Sequence, residues 1–208
     1  MLDTKDPDAI INTVLMLQPG FGGVNLEDIS NPKCFYILDT LREKAEIPIW
    51  HDDQQGTATV TLAGLINALK VVSKKMSEVK IAFIGTGAAN VACSRMIFGW
   101  GADPAKCFMV DSKGILGKHR KDIEMRKAEY VDKWKLCNIT NAEGRQGEIP
   151  DAMKGVDVVI GLSKSGPGVI LPEWVKTMAK DAILFACANP VPEIWPWEAI
   201  EAGAAVVA

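Results

Sequence analysis

The sequence has few of the residues that most often announce chemistry. It holds two histidines, His51 and His119, and two tyrosines, Tyr36 and Tyr130. No Gly-x-Ser-x-Gly follows a strand-like run, so a Ser/His/Asp hydrolase has little support. The five cysteines, Cys34, Cys93, Cys107, Cys137 and Cys187, are odd in number and lack C-x-x-C spacing. Several sit in apolar runs, a pattern of reduced, buried thiols rather than of a disulfide framework or a zinc site. No apolar run reaches membrane length, and the start, Met-Leu-Asp-Thr-Lys-Asp-Pro-Asp, is charged. A soluble, cytoplasmic protein with no membrane partner is expected. Basic excess is missing too: 23 Lys and Arg stand against 26 Asp and Glu, a net charge of −3, which argues against a nucleic-acid partner.

What is present is length for a core and a regular alternation of patterns. The 208 residues suit one domain or a domain and a half, with about 70% of the unfolded surface available for burial. Residues 5–17 carry Ile10, Ile11, Val14 and Leu17 on one helical face, with Asp6 as cap and Pro7 in the first turn. Ser30 or Asn31 can cap a second helix bearing Phe35, Leu38 and Leu41. Residues 47–50 read as a short strand and 56–75 as a long helix, with Leu62, Leu65, Ile66, Leu69 and Val72 at core spacing. Strands are expected at 81–84, 106–110, 156–160, 182–186 and 204–208. A basic loop is expected over 112–121, a helix in the first half of 122–150, and another helix at 172–179. Strands apolar on both faces, alternating with helices, predict an α/β fold: a doubly wound parallel sheet of Rossmann-like type. The sequence ends inside a strand-like run, which suggests a longer parent.

The centre of this pattern is Ile81–Ile84 followed by Gly85-Thr-Gly87 and a helix opening at Ala88. Gly85 permits a tight turn, Gly87 allows close approach of a diphosphate, and the helix N-terminus offers N–H groups to it. The bland alternative is a plain tight turn, and the third fingerprint position holds Asn90 instead of Gly or Ala. Asp111, 26 residues beyond Gly85, ends the next strand and can accept from adenosine ribose hydroxyls, which favours NAD. Lys113, Lys118 and Arg120 follow it and can meet a 2′-phosphate, so NADP stays open. Glu27 and Asp28 stand at one strand exit, Asp52 and Asp53 at another. Four gathered carboxylates suit Mg²⁺ or Mn²⁺, unless Asp28 and Asp53 merely begin helices. Asn189-Pro190 can hold a small carboxylate or form a turn. Ser163 begins a 163–168 loop that either walls the nicotinamide end or lies idle at the surface.

Five stretches, PGFGGVNLEDISNP (19–32), PIWHDDQQGTA (48–58), IGTGAA (84–89), DSKGI (111–115) and ACANPVPEI (186–194), resemble malic enzymes, in particular the shorter prokaryotic-type form. The likeness spans nearly the whole chain. It implies oxidative decarboxylation of L-malate to pyruvate and CO₂, with hydride transfer to NAD(P), in an enzyme that forms homo-oligomers. It implies Glu27, Asp28 and Asp53 as ligands of Mg²⁺ or Mn²⁺, with Asp52 as the adjacent catalytic-site carboxylate. Asn189 would contact malate or pyruvate. Gly85, Gly87, Ala88 and Ala89 would line the cofactor, with Asp111 near its adenosine. Gln55 departs from a common His, Asn90 from a small residue, and Lys164 and Ser165 make their loop bulkier. The family's catalytic tyrosine and lysine stand in an N-terminal domain, and neither is in this sequence; nor is a further substrate asparagine that follows residue 208. The implied organisation is a metal- and substrate-site segment (1–55) and a dinucleotide-binding domain (56–208), incomplete for catalysis. Two rival readings are a non-catalytic nucleotide-binding module and another Rossmann dehydrogenase, which would not need Glu27, Asp28 and Asp53.

Overall fold

The computed structural model describes residues 2–208. Helix α1 (Pro7–Leu17) begins as the sequence predicts: Asp6 caps it, accepting from the Asp8 N–H at 3.0 Å. Helix α2 (Lys33–Lys44) differs. Among the described residues no side chain caps it, and Ser30 contributes only its carbonyl, which accepts from the Cys34 N–H. Strands β1 (Val24–Leu26) and β2 (Ile49–His51) pair in parallel, with Leu26 opposite His51. Ile11 and Val14 of α1 and Ile37 and Leu41 of α2 pack on Leu26 and Ile49.

Helix α3 (Thr57–Val71) starts one residue after the expected Gly56, which belongs to a π-helical turn over Asp52–Gly56 closed by the Thr57 N–H bonding Asp52 O, and it ends at Val71, short of the expected residue 75. Leu62, Leu65 and Leu69 are buried, as their spacing requires. The main sheet contains β3 (Ile81–Ile84), β4 (Cys107–Asp111), β5 (Gly114–Ile115), β6 (Val158–Gly161), β7 (Ala182–Ala186) and β8 (Ala204–Val207). Their order is β5-β4-β3-β6-β7-β8. All neighbours are parallel except β5, which runs antiparallel to β4. β5 lies in the stretch expected to be loop; its two residues are too few for any alternation to show.

Helix α4 (Ala88–Gly99) links β3 to β4. The single helix expected early in 122–150 is broken into α5 (Lys121–Met125) and α6 (Val131–Ile139), with α7 (Ile149–Met153) leading into β6. Helices α8 (Pro172–Val175) and α9 (Pro196–Glu201) flank β7 in the chain. Every residue of β3 is buried, and its side chains divide between two layers. Ile81 and Phe83 pack with Leu65, Leu69, Val91 and Ile97 under α3 and α4. Ala82 and Ile84 pack with Met153, Val175 and Ala199 under α7, α8 and α9. This is the doubly wound, Rossmann-like arrangement.

The chain leaves β3 for β4 on one side, while β6 pairs on the other. The carboxyl ends of β3 and β6 therefore splay into the crevice at which such sheets bind ligands. Among the described residues, no helix is long and apolar enough to cross a membrane.

Candidate active site

Gly85 leaves β3 with φ +97°, a left-handed value that glycine alone adopts cheaply. Its N–H donates to Val110 O at 2.9 Å, and a Cβ there would lie 2.6 Å from Leu162 O. The turn thus needs glycine for both conformation and space. A Cβ on Gly87 would meet nothing within 4 Å, so the N-terminus of α4 opens onto room for a diphosphate. Asn90 is fully buried, and its Nδ2 donates to Ile84 O at 2.9 Å and Gly85 O at 3.0 Å, with a longer contact to Ile160 O at 3.4 Å. The residue that departs from the glycine fingerprint is the one that ties the loop to its strand. Its Oδ1 has no partner among the described residues.

A cleft of about 470 Å³ opens beside this loop, and Asp53, Ala89, Ser163, Cys187 and Asn189 all line it. Four residues singled out from separate stretches of sequence thus share one space. Asp28 joins from the side: its N–H donates to Asp53 Oδ2 at 2.9 Å, tying the exits of β1 and β2 together. Asp28 holds φ +57°, a left-handed conformation that aspartate tolerates better than most residues. Glu27 accepts from Asn25 Nδ2 at 3.3 Å. Asp52 does not line the cleft; its carboxylate lies over Gly56 of its own turn, and Trp50 Nε1 approaches it at 3.5 Å. Among the described residues, no three His, Cys, Asp or Glu side chains converge closely enough to form a metal cluster.

His51 lies beneath these carboxylates, fully buried, with neither ring nitrogen hydrogen-bonded among the described residues. Burial depresses its pKa below 6.5, and the opposing pull of Asp53, Asp52 and Glu27 does not overcome it. Gln55, at the position noted for its departure from His, accepts from the His51 N–H at 2.9 Å through its side-chain oxygen and so ties the π turn back to β2. The cysteines are free thiols, and burial raises Cys187 to about 11 and Cys93 to about 12, so neither is a ready nucleophile.

Residues 54–203 match the family described as "Malic enzyme, NAD binding domain". The chain belongs to the malic enzyme family. It is 44% identical to the NAD-dependent malic enzyme of Geobacillus stearothermophilus over 94% of this chain and 39% of that protein. It is 39% identical to the NADP-dependent malic enzyme of Halomonas elongata, over 94% of this chain and 43% of that protein. The crystal structure of Entamoeba histolytica malic enzyme superposes with TM-score 0.92 at 53% identity, covering 97% of this chain and 41% of that one. The chain thus spans less than half the length of these malic enzymes.

The malic enzyme domain carries a second cavity, about 290 Å³, at the exit of β4, where Asp111, Lys113, Arg126, Tyr130 and Lys133 meet. Sequence reading left Arg120 as a possible partner for a 2′-phosphate. It is instead only 7% exposed, and its N–H groups are engaged. Nη1 and Nη2 fork onto Asp111 at 2.9 and 3.1 Å, Nε and Nη2 onto Asp122 at 2.9 and 3.0 Å, and Nη1 also reaches Gly114 O at 3.2 Å. A guanidinium has five N–H donors, so little remains for a ligand. For Asp111, burial disfavours ionisation, but hydrogen bonds from Arg120 and the Lys113 N–H, with Lys133 nearby, outweigh it and hold the pKa below 3.8. No pattern in the sequence distinguishes such a clamp from a solvated basic loop.

Proposed function

We propose that this chain forms the dinucleotide- and metal-binding part of an enzyme that oxidatively decarboxylates L-malate to pyruvate and CO₂, passing hydride to NAD or NADP. The observation that carries the reading is the shared cleft: Asp53, Ala89, Ser163 and Asn189 line one space at the switch point of the sheet. The named relatives include NAD- and NADP-dependent malic enzymes, which supports the cofactor class and leaves its choice to the cavity at Asp111.

Gly85, Gly87, Ala88 and Ala89 take the diphosphate at the N-terminus of α4, where free N–H groups face the open space over Gly87. Asp111 faces the adenosine ribose. Ser163 walls the nicotinamide end, and the Asn189 amide donates to a carboxylate or carbonyl oxygen of malate or pyruvate. Glu27, Asp28 and Asp53 would hold Mg²⁺ or Mn²⁺; their all-oxygen donor chemistry suits a hard cation, and the bond from the Asp28 N–H to Asp53 Oδ2 between the two strand exits supports the reading. Bound metal supplies Lewis acidity toward the 2-hydroxyl and the ketone that follows from it. Asp52 stands beside that site as a further carboxylate.

Calorimetry of the 208-residue chain with NAD, NADP and Mn²⁺ tests this. Binding of a dinucleotide and of Mn²⁺ is expected, with Asp53→Asn weakening Mn²⁺ about tenfold or more and leaving dinucleotide affinity within about twofold. A chain that binds no nucleotide overturns the reading. Malate turnover by this chain is expected to be negligible; wild-type-like turnover would contradict the assignment of acid–base roles to a tyrosine and a lysine outside it.

A further inference from the structure

Glu193 is fully buried, four residues beyond Asn189, and it touches both walls of the cleft. Its Oε1 accepts from the Ser163 N–H at 3.0 Å and from Ser163 Oγ at 3.4 Å. Its Oε2 accepts from the Ala188 N–H at 3.1 Å. Among the described residues, no lysine, arginine or histidine forms an ion pair with it. A buried carboxylate without a cation is costly unless oriented N–H groups replace the water it lost. Here two backbone N–H groups do so, and they belong to different loops: one after β6, the other after β7.

The surroundings are shaped to admit this side chain. A Cβ on Gly161 would lie 3.0 Å from the Glu193 carboxyl, so any larger residue at the end of β6 would press on it. The same two loops meet again above it, where the Val191 N–H donates to Ser165 Oγ at 3.2 Å and the Gly166 N–H to Val191 O at 3.0 Å.

We infer that Glu193 is a positioning residue that sets the spacing between the Ser163 wall and Asn189, and thereby the register of the nicotinamide against the substrate. The inference rests on the proposed function. One carboxylate reaches the residue assigned to the cofactor's nicotinamide end and the neighbour of the residue assigned to the substrate. Glutamine cannot replace it: one arm of the amide is a donor, which would face a backbone N–H. The glycine loop has separate anchors, Asn90 and the Gly85 N–H to Val110 O bond, so the diphosphate site is expected to survive the change.

The test compares two ligand pairs on wild type and Glu193→Gln: NADH with ADP-ribose, and NADPH with 2′-phospho-ADP-ribose, titrated by fluorescence or calorimetry. Loss of about tenfold in dinucleotide affinity is expected, with the half-ligands changed less than about twofold, because the unsatisfied N–H, on Ser163 or on Ala188, lies in the walls of the nicotinamide and substrate end and away from the diphosphate. A uniform structural weakening would move both members of a pair alike. Equal losses, or none, overturn the positioning role while leaving nucleotide binding intact. A wild-type chain that binds neither ligand overturns the function itself, and the inference with it. Should Glu193→Gln fail to fold, Glu193→Asp keeps both acceptors on a shorter arm; a selective loss of about threefold for the dinucleotide is expected, and a non-selective one refutes the role.

Discussion

Replacing Asn90 by Asp changes one NH₂ into an oxygen and almost nothing else in shape. In the fold that NH₂ faces the carbonyl oxygens of Ile84 and Gly85 at 2.9 and 3.0 Å. An ionised carboxylate there meets two acceptors at van der Waals distance with no water to separate them. Desolvation of a buried charge by itself would run to many kcal/mol, but the chain has an escape: it can protonate the carboxyl, whose O–H then donates to one of the two carbonyls. Raising the folded pKa from about 3.9 to above 7 costs at most about 4 kcal/mol at pH 7, which caps the ionisation penalty. The lost second hydrogen bond adds about 1 kcal/mol, and the helix N-terminus returns at most about 1 kcal/mol to any charge that remains. The expected cost is about 3–4 kcal/mol at pH 7, or roughly 10 °C in Tm for a chain of this size.

The pH dependence gives the sharper test. A carboxyl with a raised folded pKa is compatible with folding at low pH and opposes it as pH rises beyond the unfolded value of about 3.9. The gap between Asn90→Asp and wild type should therefore narrow between pH 7 and pH 5, by about 1.4 kcal/mol or more. Urea or thermal unfolding of both proteins at the two pH values measures it. An Asp variant as stable as wild type at pH 7, or a gap independent of pH, would mean that the Asn90 amide does not donate to these carbonyls.

Two further outcomes follow from the same region. Arg120→Met strips a forked partner from the buried Asp111 and should cost about 3–5 kcal/mol at pH 7. Because Asp111 is held below its ordinary 3.8, the pair's contribution is present above that value and lost as pH falls through the folded pKa; the variant's deficit should shrink in acid unfolding below about pH 4. Gly85→Ala forces a Cβ to within 2.6 Å of Leu162 O at a left-handed φ. A loss of about 2 kcal/mol or more is expected in thermal melts, with weakened dinucleotide binding; unchanged stability would remove the close-approach role assigned to the glycine.

The parallel sheet was legible because its strands are apolar on both faces: residues 81–84 and 182–186 stand out from the helices around them without any partner being known. The glycine turn was legible because it follows a buried strand, and the positions of the four carboxylates because they follow β1 and β2; their expected gathering was not, since Asp52 lies over Gly56 and only Asp53 of the four lines the cleft. What escaped was built from long-range partners. Arg120 reads as one more charge in a basic loop until Asp111, Asp122 and Gly114 surround it. Asn90 reads as a flaw in a fingerprint until two carbonyls face its amide. Glu193 carries no local signal, since its partners are 30 and 5 residues away. The π turn at Asp52–Gly56 was missed for a different reason: its residues are compatible with an ordinary helix start, and only the hydrogen-bond pattern separates the two.

That turn separates two neighbouring carboxylates. A π turn is an α-helical turn widened by one residue, so the surplus is taken up inside the turn and α3 keeps its phase beyond it. There Gly64 rests on the Phe185 ring of β7, where a Cβ would come within 2.8 Å. Inside the widened turn Asp53 lines the cleft, while the Asp52 carboxylate lies over Gly56. Two adjacent acidic residues thus part company within one surplus residue of winding.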